Sequence, residues 1–212
     1  MKRIRLQFSK SKTLTYIGHL DFLRVFQQTI RRAKLPVAYS EGFNPHIQLS
    51  FALPLPLGMI GANDFVDIIL TKEIPLDEVV IRMNHTAPAG LTVYKAFPVS
   101  DKAASVVVAA DYEVDCNIPA GKYTVEGLLA ATSVIIAKKT KNGIKDTDIR
   151  PYIYDLRLTK YTLYMRLSAG SSTFVNPLIV AELILGYKTT DIIRTELYKK
   201  GDNAELISLL YV

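Results

Sequence analysis

Apolar and polar residues alternate at period two in Ile4-x-Leu6-x-Phe8, which predicts a strand with one buried face. The period then lengthens. Over His19–Ala33, residues Phe22, Leu23, Phe26, Ile30 and Ala33 fall within an arc of about 100° of a helix, with Leu20 at its margin. Gly18 can serve as N-cap, Asp21 suits the positive end of the helix, and Pro36 prevents its continuation. Strands follow at Ile47–Leu53 and Phe65–Leu70, on either side of a Pro/Gly turn at Pro54–Gly58. A helix at Leu76–Asn84, with Asp77 and Glu78 near its start, precedes a strand at Leu91–Phe97. The order is βαββαβ, that of a ferredoxin-like unit: an antiparallel sheet with two helices on one face.

The second half repeats the pattern less cleanly. It reads as a strand at Tyr112–Cys116, a short helix at Thr124–Ala131, a strand at Val134–Lys138, a turn signal at Asn142-Gly143 and a strand at Tyr161–Leu167. Asn176-Pro177 starts a helix that Gly186 closes, and Ile192–Tyr198 is the last strand. Ile144–Lys160 is too long for a plain hairpin and carries Asp146, Asp148 and Arg150. The tail after Gly201 reads as a short final helix. The fold class expected is α+β: tandem duplicated ferredoxin-like (βαββαβ) units with antiparallel sheets, at residues 1–100 and 106–212, joined through Ser100–Ser105.

Composition narrows the class. The 212 residues are 49% hydrophobic and 22% charged, as in a globular protein. No apolar run reaches the ~18 residues that would span a bilayer. The start, MKRIRLQFSK, lacks the apolar core of a signal peptide, so the expected compartment is the cytoplasm, with no membrane partner. Cys116 is the only cysteine, which excludes an internal disulfide, a cysteine-held iron–sulfur cluster and a thiolate zinc site; no cofactor is expected. The net charge of +6 is concentrated: residues 1–60 hold nine Lys/Arg against Asp21 and Glu41 alone. An excess of that kind fits a polyanionic partner or ordinary solubility charge.

The candidate chemistry lies in that basic segment. Arg24, Gln28 and Arg31 form one stripe opposite the apolar arc, with Arg32 beside it, and guanidinium groups grip phosphate with paired donors. The stripe also reads as a solvated helix face. Lys10 and Lys12 add cations upstream. The loop Ser40-Glu41-Gly42-Phe43-Asn44-Pro45-His46 offers side-chain donors at Ser40, Asn44 and His46, and a left-handed position at Gly42. Phe43 either stacks on a nucleic-acid base or plugs the core beneath the turn. His19 and His46, with Tyr16 nearby, would suit metal-independent RNA cleavage, one histidine as base and the other as acid. His19 equally caps or orders the helix start. His19-x-Asp21 points about 200° apart on a helix with no third ligand apparent, so no metal site is expected. His85 near a helix end needs no function. Asp146, Asp148 and Arg150 would hold a cation or serve as ordinary loop acids with nearby cations. No Walker loop, GxGxxG or Gly-x-Ser-x-Gly is present.

Three stretches carry a resemblance: Tyr16-Ile17-Gly18-His19-Leu20-Asp21-Phe22-Leu23-Arg24; Arg31-Arg32-Ala33 continuing through Leu35-Pro36-Val37-Ala38-Tyr39-Ser40 to Gly42-Phe43-Asn44-Pro45-His46; and Ser50-Phe51-Ala52-Leu53-Pro54-Leu55-Pro56-Leu57-Gly58. They are similar to the bacterial radical-SAM-linked family, a domain of unknown function found alone or fused after a radical SAM module. Asp148-Ile149-Arg150-Pro151-Tyr152-Ile153 resembles its later motif. Gly18 stands where the family usually has serine, Ile47 where it has proline, and an Arg-Ala pair is missing near Thr29. The resemblance implies a cytoplasmic accessory protein that works with a separate radical SAM protein and has a connection to RNA or translation. One cysteine cannot supply the three cluster ligands of that chemistry here. The leading expectation is a non-catalytic RNA-binding or substrate-presenting accessory protein; the alternatives are a protein-interaction scaffold docking a radical SAM enzyme and an endoribonuclease using His19 and His46.

Overall fold

A computed structural model describes residues 2–116, 120–140, 143–170, 173–189 and 191–211. The chain divides into two compact units, residues 1–107 with 194–212, and residues 108–193. The sequence places a junction at Ser100–Ser105; the compact units divide at 107/108, and the last strand from Arg194 returns to the first unit. Among the described residues no helix is long and apolar enough to cross a membrane.

The first unit opens with β1 (Lys2–Lys10), α1 (His19–Arg32), the short β2 (Leu49–Phe51), β3 (Ile60–Leu70), α2 (Leu76–Thr86), β4 (Leu91–Pro98) and a single-turn helix α3 (Ala103–Val106). The second holds β5 (Val107–Asp115), α4 (Val125–Ala130), β6 (Ile135–Thr140), β7 (Gly143–Asp148), β8 (Ile153–Leu158), β9 (Thr162–Ser168) and α5 (Pro177–Leu185). Then β10 (Ile192–Lys200) and β11 (Leu206–Ser208) complete the first unit, with a 3-10 turn at Leu209–Tyr211 where the sequence predicts a helix.

In the first unit the strands run β4-β1-β3-β10, with β2 on the flank of β3 and β11 on β10. β1 is antiparallel to both neighbours, pairing Leu6 with Val66 of β3 and Ala96 of β4. Alternation decides the two faces. Ile4, Leu6 and Phe8 of β1 and Val66 and Ile68 of β3 meet Phe22, Phe26 and Ile30 of α1 and Val79 and Met83 of α2 in one core. At its centre the rings of Phe8, Phe22, Phe26 and Phe51 lie 4.9–5.9 Å apart, within the range where edge and offset contacts are favourable.

On the opposite face of that sheet the sequence misleads. Arg5 reads as the polar partner in Ile4-x-Leu6, yet it is wholly buried. Its guanidinium donates to both carboxylate oxygens of Asp67, at 2.7 and 3.2 Å, and to Asp101 at 2.9 Å; the Ala103 N–H completes the cluster on Asp67 at 2.7 Å. Burial alone would lower the Arg5 pKa, but the hydrogen bonds and charges of Asp67 and Asp101 hold it above its ordinary value.

In the second unit β9 lies between β5 and β8, antiparallel to each. Here the strand reading is corrected. Val134–Lys138, expected in the main sheet, contributes instead to β6, which among the described residues pairs with β7 alone as a separate two-stranded ribbon. The strand on β9 is β8, inside the stretch Ile144–Lys160 that reads as an overlong connection. Asn142 of the expected Asn142-Gly143 turn lies outside the described residues. Asp148 is held chiefly by backbone: its carboxylate accepts the Val134 and Arg150 N–H groups, which hold it below the usual carboxylate range, Val134 most strongly, with the Arg150 charge adding to the shift. Arg150 donates to the Leu129 and Ile153 carbonyls. The helix signals behave as predicted, with the Asn176 side chain accepting from the Leu178 N–H and Gly186 at φ +80°.

Candidate functional site

The loop after α1 is built as a hydrogen-bonded clasp. Tyr39 and Ile47 form an isolated bridge at its base. Above it the Ser40 N–H donates to the His46 carbonyl at 2.8 Å, the His46 N–H donates to Ser40 Oγ at 3.1 Å, and Ser40 Oγ meets His46 Nδ1 at 2.8 Å. The Asn44 carbonyl is 3.5 Å from the same ring nitrogen. The sequence names Ser40, Asn44 and His46 as donors to a ligand; Ser40 and His46 bind each other first and hold the loop shut. Gly42 sits at φ +115°, a conformation that L side chains rarely adopt.

The clasp presents Phe43 to solvent. Its side chain is fully exposed, which overturns the core-plug reading and leaves a large apolar ring held on a hydrogen-bonded tip. An isolated exposed aromatic is ordinary. One carried beyond the surface by a closed loop has its faces free to stack or insert.

Along α1, Arg24, Gln28, Arg31 and Arg32 are all exposed, as the helical stripe predicts. Arg24 pairs with Asp21 at 2.7 Å in an exposed i,i+3 contact. Among the described residues Arg31 and Arg32 have no ion pair, so the basic end of the helix toward the loop is open. Lys12 is exposed.

Lys10 is a correction. Its side chain is buried, at 1% exposure, with Nζ donating to the Ile17 carbonyl at 3.0 Å and lying 5.0 Å from the centre of the Phe22 ring. It follows Phe8 by two positions, so alternation turns it inward, and a phosphate on the surface cannot reach it. Burial lowers its pKa, opposed by the charge of Asp64. Asp64 in turn accepts from Arg194 at 2.8 Å, while Arg194 also donates to the Leu53 and Pro54 carbonyls. Burial raises the Asp64 pKa, and the Arg194 and Lys10 charges oppose that rise. Gly61 lets the strand pass this carboxylate, since a Cβ there would meet Asp64 Oδ2 at 2.0 Å. The group pins the Leu53-Pro54 turn beneath the start of α1.

His19 stands at that same helix start, with its ring edge-on to Phe51 at 5.5 Å. Desolvation lowers its pKa, and the Lys10 charge adds to the shift. His46 precedes Phe51 by five residues of largely extended chain, about 16 Å. Ser40 engages one histidine and Phe51 the other, and among the described residues no ring contact joins the two. Tyr16 is exposed, near the Thr15 carbonyl that accepts the Gly58 N–H.

Asp64, Asp67, Arg5 and Arg194 are absent from the sequence-based site. A signal existed for the two acids: both fall within the largely apolar β3, buried on both faces through Asp64–Ile68, where a charge must find a partner. Among the described residues no three His, Cys, Asp or Glu side chains gather as a metal site.

With clasp, stripe and buried ion pairs in place, the fold is α+β with a large, mostly antiparallel sheet. Residues 3–177 match the family described as "Uncharacterized protein conserved in bacteria (DUF2344)", and the chain belongs to that family. A comparison with curated proteins found no match.

Proposed function

We propose that the chain is a non-catalytic RNA-binding or substrate-presenting accessory protein of the cytoplasm, working beside a separate radical SAM protein. The observation that carries this reading is Phe43, fully exposed at the tip of the Ser40–His46 clasp. The open cations Arg31 and Arg32 on the preceding helix supply phosphate contacts, and the ring supplies stacking on a base. Catalysis is not part of the reading, because His19 and His46 are held by different neighbours. At the level of fold, we read both units as ferredoxin-like. The order β4-β1-β3-β2 in the first and β5-β9-β8 in the second each place the plan's third strand between its first and second, with β6-β7 inserted in the second copy.

Fluorescence anisotropy of labelled single-stranded RNA at two salt concentrations tests it. Phe43→Ala should weaken binding by about 1–3 kcal/mol. Arg31→Ala with Arg32→Ala should lower the slope of log K against log salt by about 2. Equal binding by all three proteins at matched salt removes the proposal.

A specific observation favours a second reading, a scaffold that docks the radical SAM protein without RNA. Tyr16, Leu20 and Leu57 are all exposed around the start of α1, where the Gly58 N–H to Thr15 carbonyl bond draws the two segments together. Co-purification that survives nuclease and is lost in Leu20→Ser supports the scaffold.

A further inference from the structure

The face of the first unit's sheet that α1 and α2 leave uncovered holds a groove of about 400 Å3. Arg3, Gln48, Leu49, Ser50, Asp67, Ile69 and Lys102 line it. Its volume falls in the range of small-molecule sites. Two cations border it. Lys102 is exposed and without an ion pair among the described residues, and Arg3 spends one N–H on the Ser100 carbonyl at 3.2 Å. Its wall is not ordinary surface, for Asp67 is 3% exposed and still reaches the groove.

The hydrogen-bond inventory of Asp67 defines what is left for a ligand. Among the described residues Oδ2 accepts from Arg5 Nη2 and from the Ala103 N–H, and Oδ1 from Arg5 Nε alone. A carboxylate has about four acceptor sites, so Oδ1 keeps one for an incoming N–H or O–H. Gln48 donates its Nε2 to the Tyr39 carbonyl, which leaves the amide oxygen as a further acceptor, and Ser50 adds a hydroxyl. Behind Asp67, Arg5 is fixed by two carboxylates, so the acceptor cannot swing away. Ile69 supplies apolar wall.

Cations for an anionic group, acceptors for donor N–H groups and an apolar wall between them match one chemical class. We propose that this groove binds a nucleoside monophosphate unit: phosphate at Arg3 and Lys102, the base edge donating to Asp67 and Gln48, its face against Ile69. The unit is a free nucleotide or the 5′-phosphorylated end of a strand. The inference rests on the RNA-binding reading only in choosing a nucleotide over other phosphates.

Isothermal titration of the full chain with AMP, CMP, GMP and UMP, and with inorganic phosphate, tests it. At least one nucleotide should bind more tightly than phosphate alone. Lys102→Ala and Arg3→Gln should each weaken that binding about tenfold or more, as loss of a charge-assisted contact does. Phe43→Ala should leave it unchanged, which separates this site from the loop: a failed loop with intact nucleotide binding, or the reverse, assigns the failure to one proposal. Competition by a 5′-phosphorylated oligonucleotide that its 5′-hydroxyl form does not match identifies the strand end as the source; equal competition by free nucleotide alone identifies the metabolite. No nucleotide binding at millimolar concentration, phosphate binding as tight as nucleotide, or full binding in a folded Lys102→Ala overturns the site.

Discussion

The cations of the first unit live in two unlike settings. Arg5, Lys10 and Arg194 are buried at 0–1% exposure, each held by carboxylates or backbone carbonyls. Arg24, Arg31 and Arg32 stand in water on the outside of α1. Counted by sequence, all but Arg194 contribute alike to the basic segment of residues 1–60, but only the second group can meet a partner. The difference is one of consequence: a buried charge that loses its counter-charge is stranded in low dielectric, whereas an exposed one is simply rehydrated. The basic excess counted along residues 1–60 therefore overstates the number of cations at the surface, since Arg5 and Lys10 are buried.

The largest expected effect strikes the buried set. Asp64→Ala leaves Arg194 and Lys10 without their carboxylate and should cost roughly 3–5 kcal/mol in urea denaturation, against changes within about 0.5 kcal/mol for Arg31→Ala. A loss below about 1 kcal/mol for Asp64→Ala would mean that the pair is hydrated, and the contrast between the two sets would collapse.

Next in size is the clasp. Gly42→Ala forces a side chain to φ +115° and should destabilise the loop by roughly 1–3 kcal/mol, although a Cβ there meets nothing within 4 Å. The resonances of Ser40 and His46 should broaden while those of β1 stay fixed. An unchanged loop spectrum would show that the backbone can relax out of the left-handed region without opening the Ser40–His46 bonds.

How far the chain was legible follows the same division. β1, α1 and α5 announce themselves, because period and caps are local: Ile4-x-Leu6-x-Phe8, the arc from Phe22 to Ala33, and Asn176 with Gly186 all act within a few residues. The inward turn of Lys10 was missed, although extending the alternation one step past Phe8 points to it. What else escaped depends on partners far along the chain. Arg5 looks solvent-facing until Asp67 and Asp101, 62 and 96 residues on or so, close over it. β6 looks like a strand of the main sheet because nothing in Ile135–Thr140 says that it pairs with β7 in a separate ribbon. Phe43 beside Gly42 has the composition of a core plug, and its exposure is decided by the Ser40–His46 bonds, not by its own type.

A pH titration sharpens the boundary between the two settings, since His19 lies on it. Its pKa is lowered from the ordinary 6.5, first by desolvation against its neighbours and then by Lys10. Between the lowered value and 6.5 the unfolded chain binds more protons than the folded one, so stability should rise with pH across that window and level off above it. NMR should place the His19 midpoint below 6.5, and Lys10→Met should move it upward by removing the nearby positive charge. A midpoint at or above 6.5 would put His19 with the fully hydrated side chains.

The smallest effect is expected at Arg24 and Asp21, and it is informative for that reason. Their contact at 2.7 Å is exposed on both sides, and a double-mutant cycle should give a coupling of about 0.5 kcal/mol or less, vanishing in high salt. So weak a partner does not hold Arg24 against a phosphate. Asp21→Ala should therefore cost little stability, yet it removes a negative charge beside the stripe and frees the guanidinium. RNA binding should tighten modestly at low salt, and the gain should disappear as salt is raised. If binding instead stays constant or weakens, the stripe on α1 is a solvated helix face, and the contrast between the interior and exterior cations of this unit is one of burial alone.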